Sequence, residues 1–158
     1  MPPLKNPLVK KLVSGGQTGA DRAALDWAIE HRIEHGGWCP LGRLAEDGPI
    51  DPKYELTETP TPDYAQRTEW NVRDSDGTVI FSIKEKLAGG SLTTWQMASE
   101  FAKPCLHLHQ ESDAAPRSLQ NWLRSNRIHT LNVAGPRLSE EPEITDFVKN
   151  VLDEALAP

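Results

Sequence analysis

The chain has 158 residues, 37% hydrophobic and 25% charged, with a formal net charge of −6. That length suits one domain with a real core, no apolar run approaches the roughly 20 residues that cross a bilayer, and the acidic balance argues against general nucleic-acid binding. Cys39 and Cys105 are the only cysteines, too few for a disulfide framework, which points to a reducing cytoplasm.

Residues 1–7 hold no apolar signal core and read as a short frayed arm. Leu8 to Ser14 reads as a strand running into a glycine-rich turn, Gly15-Gly16-Gln17-Thr18-Gly19-Ala20-Asp21-Arg22. A helix from about Thr18 to Ile33 follows, with Ala20, Ala24, Trp27 and Ala28 on one stripe and Gly36-Gly37 as its glycine cap. Trp38-Cys39 is a very short strand. Residues 40–62 contain Pro40, Pro49, Pro52, Pro60 and Pro62 and read as an irregular rim or lid carrying Arg43, Glu46, Asp47, Lys53 and Tyr54. Thr61-Pro62 reads as the cap and first residue of a helix to about Arg73.

Thr78 to Ile83 is a nearly unbroken apolar run, the signature of a central parallel strand. A second glycine turn, Ala88-Gly89-Gly90-Ser91-Leu92-Thr93-Thr94, then opens a helix to Ala102. Pro104 to His109 is a strand, Pro116 to Asn126 a helix, and His129 to Val133 the last strand, ending at Ala134-Gly135-Pro136-Arg137. Ile144, Phe147, Val148, Val151, Leu152 and Ala155 keep the three-and-four spacing of a closing helix. Strands alternating with helices predict a parallel sheet covered on both faces. Ligands of such sheets sit beyond the carboxyl ends of the strands, where both glycine turns and Gly135-Pro136-Arg137 fall.

Each glycine turn aims backbone N–H groups and the positive end of a helix at one place, which suits a phosphate or a comparable oxyanion. The first has neither the lysine nor the spacing of a nucleoside-triphosphate loop, and it is not the dinucleotide fingerprint. Gly15, Gly16, Gln17, Thr18, Gly19 and Arg22 are its candidate ligand groups. Asp21 is the odd member, because a carboxylate there repels a phosphate; a hydroxyl, an amino group or Arg22 is its natural partner. Gly89, Gly90, Ser91, Thr93 and Thr94 form the second set, and Arg43 and Arg137 add positive charge. Arg67, Asn71 and Asp74 share a helix face, which reads either as a solvated stripe or as a reader of a heterocycle edge. Cys105, His107 and His109 point to one side of a strand but lack a fourth ligand, so no metal is assigned. Trp27, Trp38, Trp70, Trp95 and Trp122 read as core or subunit-contact residues.

With these motifs in order, the chain resembles the molybdenum carrier proteins, a family related to molybdenum-cofactor carriers. The matching stretches are Gly15 to Arg22, Gly37 to Arg43, Ala45 to Ile50, Tyr54-Glu55-Leu56 with Glu58-Thr59, Arg67-Thr68-Glu69 with Asn71-Val72, Asp74-Ser75-Asp76, Gly89-Gly90 and Leu131 to Arg137. The resemblance implies a Rossmann-like three-layer α/β/α domain over residues 1–158 with a mainly parallel sheet of about five strands. It also implies a binding or carrier role toward the molybdenum cofactor, a pterin bearing a dithiolene and a phosphate, in a homo-oligomer. The related lysine-decarboxylase-like phosphoribohydrolases carry Pro-Gly-Gly-x-Gly-Thr-x-x-Glu. This chain matches at Gly89, Gly90 and Thr93 but has Gln96 where their catalytic glutamate stands, and glutamine is no general base. A binder of a phosphorylated small molecule is therefore expected, with no catalytic residue assigned. The alternatives are a phosphoribohydrolase-like enzyme acting on nucleoside monophosphates through another carboxylate (Glu46, Asp47 or Asp74) and a nucleotide-binding sensor.

Overall fold

The computed structural model describes residues 7–157. The arm expected over residues 1–7 therefore lies, apart from Pro7, outside the described residues. A five-stranded sheet is built from β1 (Lys11–Val13), β2 (Glu34–Gly36), β7 (Gly77–Ser82), β8 (Cys105–His109) and β9 (Thr130–Ala134). Its order is β2-β1-β9-β7-β8, and every pairing is parallel. Two small ladders lie outside it: β3 (Trp38–Cys39) with β6 (Thr57–Glu58), and the hairpin of β4 (Leu44–Ala45) and β5 (Gly48–Pro49).

Helices cover both faces. On one, α5 (Ile144–Leu156) packs against α1 (Ala20–Glu30) and α4 (Ala115–Ser125); on the other, α2 (Tyr64–Arg73) packs against α3 (Gly89–Glu100). This is the Rossmann-like α/β arrangement. β7 is buried along its whole length, as a strand with helices on both sides must be. Leu12, Trp27, Phe81, Leu119, Leu131, Ile144 and Leu152 belong to the main apolar cluster. A satellite cluster of Leu25, Cys39, Ala45, Ile50 and Tyr54 anchors the proline-rich segment to α1.

The structure departs from the sequence expectation at two helix ends. Gly36-Gly37 does not cap α1: Gly36 closes β2, and the helix ends at His31 with Arg32 in the left-handed region (φ 55°). The helix after the proline-rich segment starts at Tyr64, capped by Asp63 accepting from the Ala65 N–H at 2.9 Å. Thr61 instead bonds the Gln66 side chain. Residues 40–62 are largely without regular structure, as expected, but they carry three two-residue strands and set Ala45, Ile50 and Tyr54 into the satellite cluster. Among the tryptophans, Trp27 is buried and Trp95 is 40% exposed; Trp38 and Trp70 are half-buried and meet edge to face.

Candidate functional site

Because β9 lies between β1 and β7, the loops that leave these three neighbouring strands meet at one sheet edge. The meeting is close. Gly19, at φ 83°, leaves no room for a Cβ against the Pro136 carbonyl, and the Ala20 N–H donates to that carbonyl at 3.2 Å. The Leu138 N–H donates back to Thr18 Oγ1 at 3.1 Å. Glycine is the residue type that tolerates both the backbone conformation and the contact.

The first turn is held from below by Asp21, which accepts from the Gln17 N–H and from Arg67 Nη1, each at 3.3 Å. Burial pushes the Asp21 carboxyl above its ordinary range, against the opposing pull of Arg67. Arg67 lies so close over Gly15 that any side chain there would collide with its guanidinium. Gln17 is oriented without ambiguity, since its Oε1 accepts from the Thr18 N–H at 3.0 Å and the Glu46 N–H at 2.9 Å. Its Nε2 group has no protein partner among the described residues, and the side chain lines the cavity.

The second turn opens α3 with no side-chain cap at Ala88 and no acidic residue in the first turn. The Thr93 and Thr94 hydroxyls donate back to the Gly89 and Gly90 carbonyls at 3.2 and 2.9 Å. Ser91, buried at 8% exposure, has a hydroxyl with no protein partner among the described residues. The first N–H groups of this helix are thus left for something outside it.

Both turns line one cavity of about 190 Å³. Of the residues singled out in the sequence, Gly15, Gln17, Asp21, Arg67, Asn71, Gly90, Ser91, Thr93, Thr94 and Arg137 line it. Gly16, Thr18, Gly19, Arg22, Arg43, Asp74 and Gly89 are not part of its wall. Arg22 grips Asp47 with both terminal nitrogens, at 2.6 and 3.2 Å, and donates to the Gly16 carbonyl at 3.0 Å. Arg43 gives its guanidinium to the carbonyls of Ile50, Asp51, Tyr54 and Leu56. Asp74 pairs with Arg73 and the Trp38 indole beside a separate hollow. Asn71 reaches the cavity, but its amide is engaged both ways by the Trp38 backbone.

No residue of 40–62 lines the cavity. Glu46 instead ties the hairpin down, accepting from Thr18 Oγ1 at 2.5 Å and Ser139 Oγ at 2.6 Å. Tyr64, Thr68, Asn132, Gly135 and Glu140 also line the wall, and sequence reading passed over Tyr64, Thr68, Asn132 and Glu140. Tyr64 carried a usable signal, since it lies three and seven residues before Arg67 and Asn71 on their helix stripe. Gln96 is exposed on α3 and is not part of the wall; neither are Glu46, Asp47 and Asp74, so Asp21 and Glu140 are the cavity carboxylates. His107 Nε2 stands 2.6 Å from Ser82 Oγ. Among the described residues no cluster of His, Cys, Asp or Glu could hold a metal ion, and no helix is long and apolar enough to cross a membrane.

A parallel α/β sheet with a donor-lined crevice at its carboxyl edge defines the class. The circularly permutated YpsA SLOG family matches residues 12–156, and the chain belongs to that family. A crystal structure from Syntrophus aciditrophicus SB, named "Putative molybdenum carrier protein", is 47% identical over 96% of this chain and 98% of its own, with a TM-score of 0.91. A structure of (E)-4-hydroxy-3-methyl-but-2-enyl diphosphate reductase shares 11% identity over 92% of this chain and 59% of its own. Its TM-score of 0.39 is too slight to argue from. No curated protein matches.

Proposed function

We propose that this protein is a binding or carrier protein for a small molecule with an anionic, phosphate-like end, and that its cargo is the molybdenum cofactor. The observation that carries the reading is the convergence of both glycine turns on one cavity that Arg67 and Arg137 also line. The open first turn of α3, Ser91, Gln17 Nε2, Arg67 and Arg137 receive the oxyanion. The pterin part of the cargo lies against the rest of the wall, where Asn132, its Nδ2 given to Thr78 Oγ1, and Thr68, its hydroxyl given to the Tyr64 carbonyl, keep oxygens to accept with. The name of the relative from Syntrophus aciditrophicus supports the molybdenum side of this reading. The protein acts in the cytoplasm as a homo-oligomer.

Thermal unfolding with added molybdenum cofactor, molybdate, inorganic phosphate or adenosine monophosphate tests it. A ligand at 100 times its dissociation constant adds about 2.7 kcal/mol of stability. We expect a saturable upward shift, largest with the cofactor. No saturable shift with any of the four removes the proposal.

A further inference from the structure

Tyr64 is the first residue of α2, and its ring belongs to neither apolar cluster. It is 37% exposed and its hydroxyl has no protein partner among the described residues. Packing therefore gives no reason for an aromatic residue here. What does meet the ring is a pair of guanidinium groups from different parts of the chain. Arg67, one turn further along α2, has its Cζ 5.3 Å from the ring centroid, and Arg137, beyond β9, lies at 5.9 Å. Both distances fall within the range over which a ring face attracts a cation, and guanidinium stacks on aromatic rings where an ammonium does not.

Each arginine is also held by a carboxylate. Arg67 Nη1 is 3.3 Å from Asp21, and Arg137 Nε is 3.1 Å from Glu140. One nitrogen of each guanidinium is engaged in this way, which leaves the terminal nitrogens of Arg137, and Nε and Nη2 of Arg67, without protein partners among the described residues. All three side chains line the same cavity. Two like charges drawn to one ring repel each other until an anion lies between them.

We propose that Tyr64 is the positioning residue of a two-arginine clamp, formed by Arg67 and Arg137, that grips the anionic end of the ligand. This rests on the reading of the cavity as an oxyanion site. Tyr64 acts through the arginines, its ring face orienting them while its hydroxyl contributes nothing.

Calorimetric titration with ribose 5-phosphate and inorganic phosphate tests this, because neither probe carries a base that could itself stack on the ring. Tyr64→Leu should weaken both probes by roughly five- to thirtyfold, the worth of two cation–π contacts. Tyr64→Phe should bind within about twofold of the native protein, since its ring face is kept. Since both contacts already exist without ligand, the Leu variant should stay folded and melt a few degrees lower than the native protein in the absence of ligand. In an Arg137→Gln background the Tyr64→Leu loss should shrink, because one of the two held groups is gone. Native-like binding by Tyr64→Leu, equal losses for Leu and Phe, or full additivity with Arg137→Gln each overturn the clamp while leaving the oxyanion site intact. A loss seen only with adenosine monophosphate would assign the ring to base stacking and overturn it too. If the native protein binds neither probe, the oxyanion reading itself fails and the clamp falls with it.

Discussion

Asp21 stands at odds with the proposed oxyanion site and yet builds its wall. A carboxylate repels an anion, but this one fixes the Gln17 N–H and holds Arg67 over Gly15. Its carboxyl stays above the ordinary value of 3.8 because burial outweighs Arg67. A raised folded-state value means that the native protein takes the proton first. Asp21's contribution to stability is then full below its ordinary value and is lost as pH rises through the raised one. Arg67→Met leaves this carboxylate buried without its cation, which costs about 3–5 kcal/mol at pH 8. The deficit should shrink at pH 5, where a proton takes over the arginine's neutralising part. Urea unfolding of both proteins at the two pH values measures it, and an equal deficit at both would detach the effect from Asp21.

The helix ends obey one rule that composition conceals. α1, α3 and α4 each close with a 6→1 bond past their last turn: Ile33 N–H to Ala28, Lys103 N–H to Ala98, and Ile128 N–H to Leu123. The left-handed residue inside each closure is Arg32, Ala102 or Arg127, at φ 55°, 51° and 52°, where glycine is the usual occupant. A Cβ there costs roughly 1–2 kcal/mol. Ala102→Gly should therefore stabilise the protein by about 1 kcal/mol, allowing for the greater freedom of glycine in the unfolded chain, and raise Tm by about 2–4 °C. A fall in Tm measured by calorimetry would refute that account. The same feature explains the misplaced end of α1, because glycine marked the cap in the sequence while an arginine filled it in the fold. The closing helix was legible for the opposite reason: Ile144, Val148, Val151, Leu152 and Ala155 are buried where their spacing put them.

At the scale of the molecule, alternating strand and helix patterns made the parallel sheet and its carboxyl edge legible, and both glycine turns could be located on that edge. The cavity wall was only partly readable. Arg22 and Arg43 are indistinguishable from ligand-binding arginines until the fold brings Asp47 and four carbonyls to them. The hairpin that supplies Asp47 is clasped by carboxylates whose protons are easily lost. Hydrogen bonds from Ser139 and Thr18 hold Glu46 below its ordinary value, and Arg22 does the same for Asp47. Lowered values contribute stability above the ordinary carboxylate range, and that stability is lost as pH falls through the folded-state values. Acidification should therefore free residues 44–50 before the sheet. Hydrogen exchange read by mass spectrometry should show protection falling there while β7 stays protected, and simultaneous loss would mean the hairpin is no separate unit.

The sheet order sets a timetable as well as a shape. β1 finds its inner neighbour in β9, with Lys11 opposite Thr130, so this pairing closes a long loop and is inherently slow to form. On the ribosome, a chain that has not yet released Thr130 to Ala134 has nothing to join β1 to β7, and its two glycine bends share no wall. The late strand thus leaves the cavity unformed in every unfinished copy, and only a molecule whose central sheet is complete has both turns on one wall.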